Sequence, residues 1–96
     1  MKLVIICYNV AIHEEALGIL KEVGIQSYTK FEKVQGVGKL SGPHLGTHIW
    51  PAVNSVMIIA LEDEKKDKLI ERIKELRRKL GKEGVKAFVL PLEEIT

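Results

Sequence analysis

Gly84-Val85-Lys86-Ala87-Phe88-Val89-Leu90-Pro91-Leu92-Glu93-Glu94-Ile95 is the stretch whose reading decides the fold. Val85 to Leu90 is a short apolar run with β-branched and aromatic members, which reads as a buried strand. Pro91 stops it, because proline lacks the N–H that a ladder needs. The acidic pair Glu93-Glu94 follows as a polar cap. Upstream, Leu69, Ile73, Leu76 and Leu80 fall on one helical face, with Lys, Arg and Glu elsewhere. Asp63 is placed to cap that helix, and Gly81 and Gly84 break it. Val53 to Leu61, before the helix, is another apolar, β-branched run and a second buried strand. The C-terminal half is therefore strand, amphipathic helix, strand.

The N-terminal half repeats that pattern, though not the residues. Leu3 to Tyr8 is a continuous apolar run, as expected of a strand buried on both faces or at an interface. Asn9 to Ile12 reads as a turn. Glu14 and Glu15 suit a first helical turn, where negative charge is favoured. Ala16, Leu20 and Val23 recur at helical spacing, and Gly24 supplies the stop. Ile25 to Gln35 mixes Tyr28, Thr29, Phe31 and Val34 with charges and predicts a longer, more exposed strand. Gly36 to Pro51 has glycines at 36, 38, 42 and 46 and prolines at 43 and 51, which predicts a loop.

The order β-α-β, loop, β-α-β predicts an α+β, ferredoxin-like βαββαβ domain over residues 1–96, an antiparallel sheet with both helices on one face. The other sheet face is then uncovered. The runs Leu3–Tyr8 and Ser55–Leu61 carry more apolar surface than a solvated face tolerates, so a closed oligomer is expected to cover it. Composition agrees with a globular domain, at 46% hydrophobic and 29% charged residues. A net charge of +2, with bases and acids interleaved, does not suggest nucleic acid. The aromatic pattern of RNA-reading sheets is absent as well. The single cysteine, Cys7, excludes an internal disulfide and fits a reducing compartment. The apolar N-terminus is far shorter than a membrane span and lacks a cleavage site, so no membrane insertion and a cytoplasmic location are expected.

Three segments together carry a resemblance. Glu14-Glu15-Ala16 with Leu20 and Glu22-Val23-Gly24-Ile25, then Lys33-Val34-Gln35-Gly36-Val37-Gly38-Lys39, then Lys86 to Glu94, are similar to the first helix, the T-loop base and the last strand of the P-II family of signalling proteins. The resemblance spans nearly the whole chain. It implies a homotrimer that binds ATP or ADP in clefts between subunits, does no chemistry on them, and uses its T-loop to control a partner such as a transporter or enzyme. Gly36, Gly38 and Lys39 would contact nucleotide from one subunit, with Gly84 and Lys86 contributing from the next. The sequence also departs from the family. Loop 36–51 is short and has no tyrosine. The B-loop run Arg78-Lys79-Leu80-Gly81-Lys82-Glu83-Gly84-Val85-Lys86 places its lysine one residue late. Leu92 to Thr96 offers no counterpart of the family's basic tail.

The same residues can be read without the family. Gly36-x-Gly38-Lys39 and Gly81-Lys82-Glu83-Gly84-x-Lys86 expose backbone N–H groups beside a cation, which suits an anion. Neither is a Walker A loop or a Rossmann fingerprint. His44-Leu45-Gly46-Thr47-His48 spaces two imidazoles for a divalent transition metal, with a third ligand to be found elsewhere. Trp50, with Leu45, could anchor a partner or line a subunit junction. An alternative follows from these residues: a metal-binding protein using His44 and His48. Trp50 carries a second resemblance, by layout only, to CutA-like cation-tolerance proteins, which share the trimeric ferredoxin-like architecture and place tryptophans near an inter-subunit cleft. Cys7 reads as an inert buried thiol and His13 as a neutral structural residue. No Ser-His-acid, Cys-His or paired-carboxylate arrangement is visible, so an enzyme is not expected. The expected function is a P-II-like sensor in which a small anionic ligand switches loop 36–51.

Overall fold

The computed structural model describes residues 1–36, 53–80 and 84–96. Their elements are β1 (Lys2–Asn9), a 3-10 turn (Val10–Ile12), α1 (His13–Val23), β2 (Thr29–Val34), β3 (Asn54–Leu61), α2 (Asp63–Leu80) and β4 (Val85–Pro91). The sheet order is β2-β3-β1-β4, with every neighbouring pair antiparallel. Each strand-helix-strand unit therefore skips one place, β3 lying between β1 and β2, and β1 between β3 and β4. This is the expected ferredoxin-like arrangement.

Strict alternation makes the sheet two-sided. Val4, Ile6 and Tyr8 of β1 and Ser55, Met57, Ile59 and Leu61 of β3 are buried on the helix side. Ala16, Ile19 and Leu20 of α1 and Leu69, Ile73 and Leu76 of α2 meet them, at the spacing of one helical stripe. Leu69 is fully buried at the centre of this core.

Gly24 ends α1 in the left-handed conformation, φ 86°. Its N–H reaches the Leu20 and Lys21 carbonyls, and Ile25 N–H also reaches Leu20. This six-to-one closure points the buried Ile25 back at the core. Lys65 Nζ of α2 donates to the Gly24 carbonyl at 2.8 Å, and Arg72 of α2 pairs with Glu22 of α1. The two helices are thus tied at one end of α1.

Three local expectations are corrected and one is met. The strand predicted over Ile25–Gln35 spans only Thr29–Val34, because the preceding residues serve the helix exit. The turn expected over Asn9–Ile12 is present as a 3-10 turn at Val10–Ile12, capped by Asn9 Oδ1, which accepts from Ala11 N–H at 2.8 Å. Asp63 does not cap α2 from outside; it is the first helical residue and faces Lys2 Nζ at 3.9 Å. The last strand is not buried within one chain. It is an edge strand in which Val85 is buried and Ala87 half-buried, while Phe88, Val89 and Leu90 are exposed.

Among the described residues, nothing lies over the second sheet face. Register places Phe31, Val56, Cys7 and Lys86 in one row across the four strands, and Thr29, Ile58, Ile5 and Phe88 in the next. Phe31 is 50% exposed and Phe88 47%. An apolar face of this extent on a small domain marks an interaction surface.

Candidate functional site

One end of the sheet collects the C-terminal ends of β1 and β2 and the N-terminal ends of β3 and β4. Asn54 is the hub of that end, standing opposite Asn9 on one side and Val34 on the other. Asn9 N–H donates to the Gly84 carbonyl at 2.8 Å, and Val10 N–H to the Val53 carbonyl at 3.1 Å. These bonds fix Gly84 and Val53, the residues that lead into β4 and β3, relative to β1.

Gly84 holds φ 95°, a conformation an L side chain rarely adopts. A Cβ there would also lie 3.3 Å from Leu80 Cδ1, so the end of α2 packs directly on this glycine. Lys86, two residues on, is exposed on the uncovered face opposite Cys7. Burial pushes the Cys7 thiol up, and the Lys86 ammonium pulls it back down. Gly36 is exposed two residues past β2, where a Cβ would meet Asn54 Nδ2 at 3.5 Å.

Gly36 and the Gly84–Lys86 pair thus share one end of the sheet, but on its two outer strands. Three strand spacings separate them, about 14 Å. One chain does not bring them onto a single phosphate. Gly38, Lys39, His44, Leu45, His48 and Trp50, all candidates on sequence grounds, lie outside the described residues. Among the described residues, no three of His, Cys, Asp and Glu come together as a metal group.

Three features at this end escaped the sequence reading. Asn9 and Asn54 flank the candidate glycines, and nothing in their spacing announced it. A buried polar cluster lies beneath them: Tyr8, 1% exposed, has its hydroxyl 2.8 Å from His13 Nδ1, with the two rings stacked. The buried Ser55 hydroxyl is Tyr8's other hydrogen-bond partner. Burial raises the Tyr8 phenol, and the Ser55 bond, followed by Lys30, partly offsets it. His13 is therefore structural, as its place at the helix start suggested. The third feature is a bulge in β2 at Lys33, which has φ 58°. A signal for it was present, since the alternation falters at Phe31-Glu32-Lys33-Val34, where Lys33 occupies the position an apolar residue should take.

The order of elements and of strands defines the class: an α+β domain of the ferredoxin-like type with an apolar sheet face that the described residues leave uncovered. The family described as Nitrogen regulatory protein P-II matches residues 1–96, and the chain belongs to it. CPII of Thiomonas intermedia K12, in a structure bound to ADP, AMP and acetate, has a TM-score of 0.71 at 20% identity, over 92% of this chain and 81% of that one. The same protein bound to ADP, AMP and bicarbonate has a TM-score of 0.71 at 22% identity, over 93% and 82%. A PII-like protein of Thermus thermophilus has a TM-score of 0.66 at 20% identity, over 93% and 83%. These are likenesses of fold. No curated protein matches the chain. Among the described residues, no helix is long and apolar enough to cross a membrane.

Proposed function

We propose that this protein is a P-II-like sensor that binds an adenine nucleotide between subunits and passes its occupancy to a partner protein, such as a transporter or enzyme. The observation that carries this reading is the position of Gly36 and of Gly84–Lys86 at one end of the sheet, on opposite outer strands. When copies close into a ring over the apolar face, the β2 edge of one subunit comes beside the β4 edge of the next. The two half-sites then face each other across the junction. Backbone N–H groups near the glycines would hold phosphate oxygens, and the Lys86 ammonium would supply charge. Gly38 and Lys39, outside the described residues, are the further nucleotide contacts that the family resemblance implies. A homotrimer is the closed ring that the family resemblance implies.

Family membership supports the reading, and so does ADP and AMP in the related CPII structures. The bicarbonate and acetate in those structures make a small carboxylate or carbonate worth testing beside the nucleotide. Loop 36–51 is the natural reporter, since it starts at one half-site. The site binds and does not turn over its ligand.

Native mass spectrometry of the purified protein, alone and with ADP or magnesium and ATP, tests this directly. A trimer that gains up to three nucleotide masses is the expected result. Lys86→Gln should weaken the gain about tenfold or more, the effect of one lost charge-assisted contact. A monomer, or a trimer that ignores nucleotide at millimolar concentration, overturns the proposal.

A further inference from the structure

β2 does not run regularly into the candidate site. Phe31 stands opposite Val56, and the next paired residue, Val34, stands opposite Asn54. Two residues of β2, Glu32 and Lys33, therefore oppose the single residue Ser55, which defines a bulge. Glu32 is still in phase with Lys30, to which it is salt-bridged at 3.2 Å, two residues apart on the helix side of the strand. Lys33 is thus the extra residue, and it absorbs the mismatch by taking φ 58°. No other described non-glycine residue has a positive φ.

The consequence lies downstream. In an unbroken strand, Phe31, Lys33 and Gln35 would share the uncovered face, and Val34 and Gly36 would turn to the helix side, since a one-residue slip reverses every side chain. With Lys33 bulged, Val34 stands opposite Asn54 on the uncovered face, in the same set as Phe31 and Val56. Gly36 lies two residues past Val34, where an added Cβ would be 3.5 Å from Asn54 Nδ2. The conformation of one residue thereby decides on which side of the sheet Gly36 leaves.

We propose that Lys33 is a positioning residue: its left-handed bulge sets the strand phase that presents Gly36 beside Asn54. The ligand arm of this inference rests on the function proposed above; the phase itself does not. It follows that the requirement is for the backbone conformation and not for the lysine side chain. Removing residue 33 altogether heals the strand with Val34 still opposite Asn54. Replacing it with a β-branched residue, which resists positive φ, instead drives the strand to run on unbulged. Deletion should therefore be better tolerated than a single conservative strand substitution.

Four chains test this: the parent, Lys33→Gly, deletion of Lys33, and Lys33→Val. Cross-strand nuclear Overhauser contacts between Val34 and Asn54 report the phase without any ligand, and ADP titration reports the site. The expected result is retention of the Val34–Asn54 contacts in the first three and their loss in Lys33→Val. ADP affinity should stay within about threefold for the glycine and deletion chains and fall about tenfold or more for Lys33→Val. If Lys33→Val keeps the contacts, or the deletion loses them, the inference is wrong. If the contacts behave as stated but the parent binds no ADP, the phase rule stands and the proposed nucleotide function falls.

Discussion

Tyr8→Phe removes a single oxygen from a buried polar cluster. The phenol is 1% exposed, its hydroxyl is 2.8 Å from His13 Nδ1, and its other partner, Ser55, is 3% exposed. Water cannot readily replace the lost oxygen at that burial. Each bond contributes about 1 kcal/mol net, and a buried hydroxyl left without a partner costs about 1–3 kcal/mol. Relief of the phenol's own burial offsets part of this, which leaves about 2 kcal/mol. For a chain of this size, that lowers the thermal midpoint on the order of 10 °C. Calorimetry or circular dichroism at fixed protomer concentration measures it, since association would otherwise move the midpoint. Adding Ser55→Ala to Tyr8→Phe should return part of the loss, because the orphaned hydroxyl is then gone. A Tyr8→Phe loss below about 0.5 kcal/mol, with no recovery in the double variant, would refute the idea that these bonds hold the junction together.

The same residue governs an alkaline limb. A phenol whose folded-state pKa is raised contributes stability that is complete below its unfolded value, about 10, and is lost as pH climbs through the folded value. The parent should therefore lose stability above about pH 10, and Tyr8→Phe should flatten that limb. Cys7, raised by burial, adds a loss beginning above its ordinary value of 9.0, which Cys7→Ser removes in a denaturant series. Gly84→Ala places a side chain at φ 95° against Leu80 and should cost about 1–2 kcal/mol by denaturant unfolding; no measurable change would mean that the backbone there relaxes freely. Ile58→Asp puts a charge at the centre of the uncovered face, between Ile5 and Thr29, and should reduce the assembly to monomer or aggregate by light scattering; an unchanged assembly would show that subunits join elsewhere.

The ferredoxin-like order was legible in the sequence because each element announces itself locally. The 3.6-residue stripe of Leu69, Ile73, Leu76 and Leu80 made a helix whatever surrounds it, and Gly24 and Pro91 marked ends by steric rules that act within a few bonds. Even the uncovered face could be inferred, since Leu3–Tyr8 carries more apolar surface than two helices on one side can cover. The candidate glycines were visible for the same reason, as residue types with a local consequence.

What tertiary structure decided is how those local pieces meet. Val85–Leu90 has the composition of a buried strand, yet it lies at the sheet edge, because strand order depends on which βαβ unit is split by which and leaves no mark in any one strand. The Tyr8–His13–Ser55 cluster joins two strands and a helix start, so its members have no common spacing in the chain. Lys33 could be seen as a break in alternation, but only pairing with β3 turned that break into a bulge that keeps Val34 opposite Asn54. Periodicity records which face a residue prefers. Register, which sets what each face meets, arises only when separate strands compete for the same hydrogen bonds.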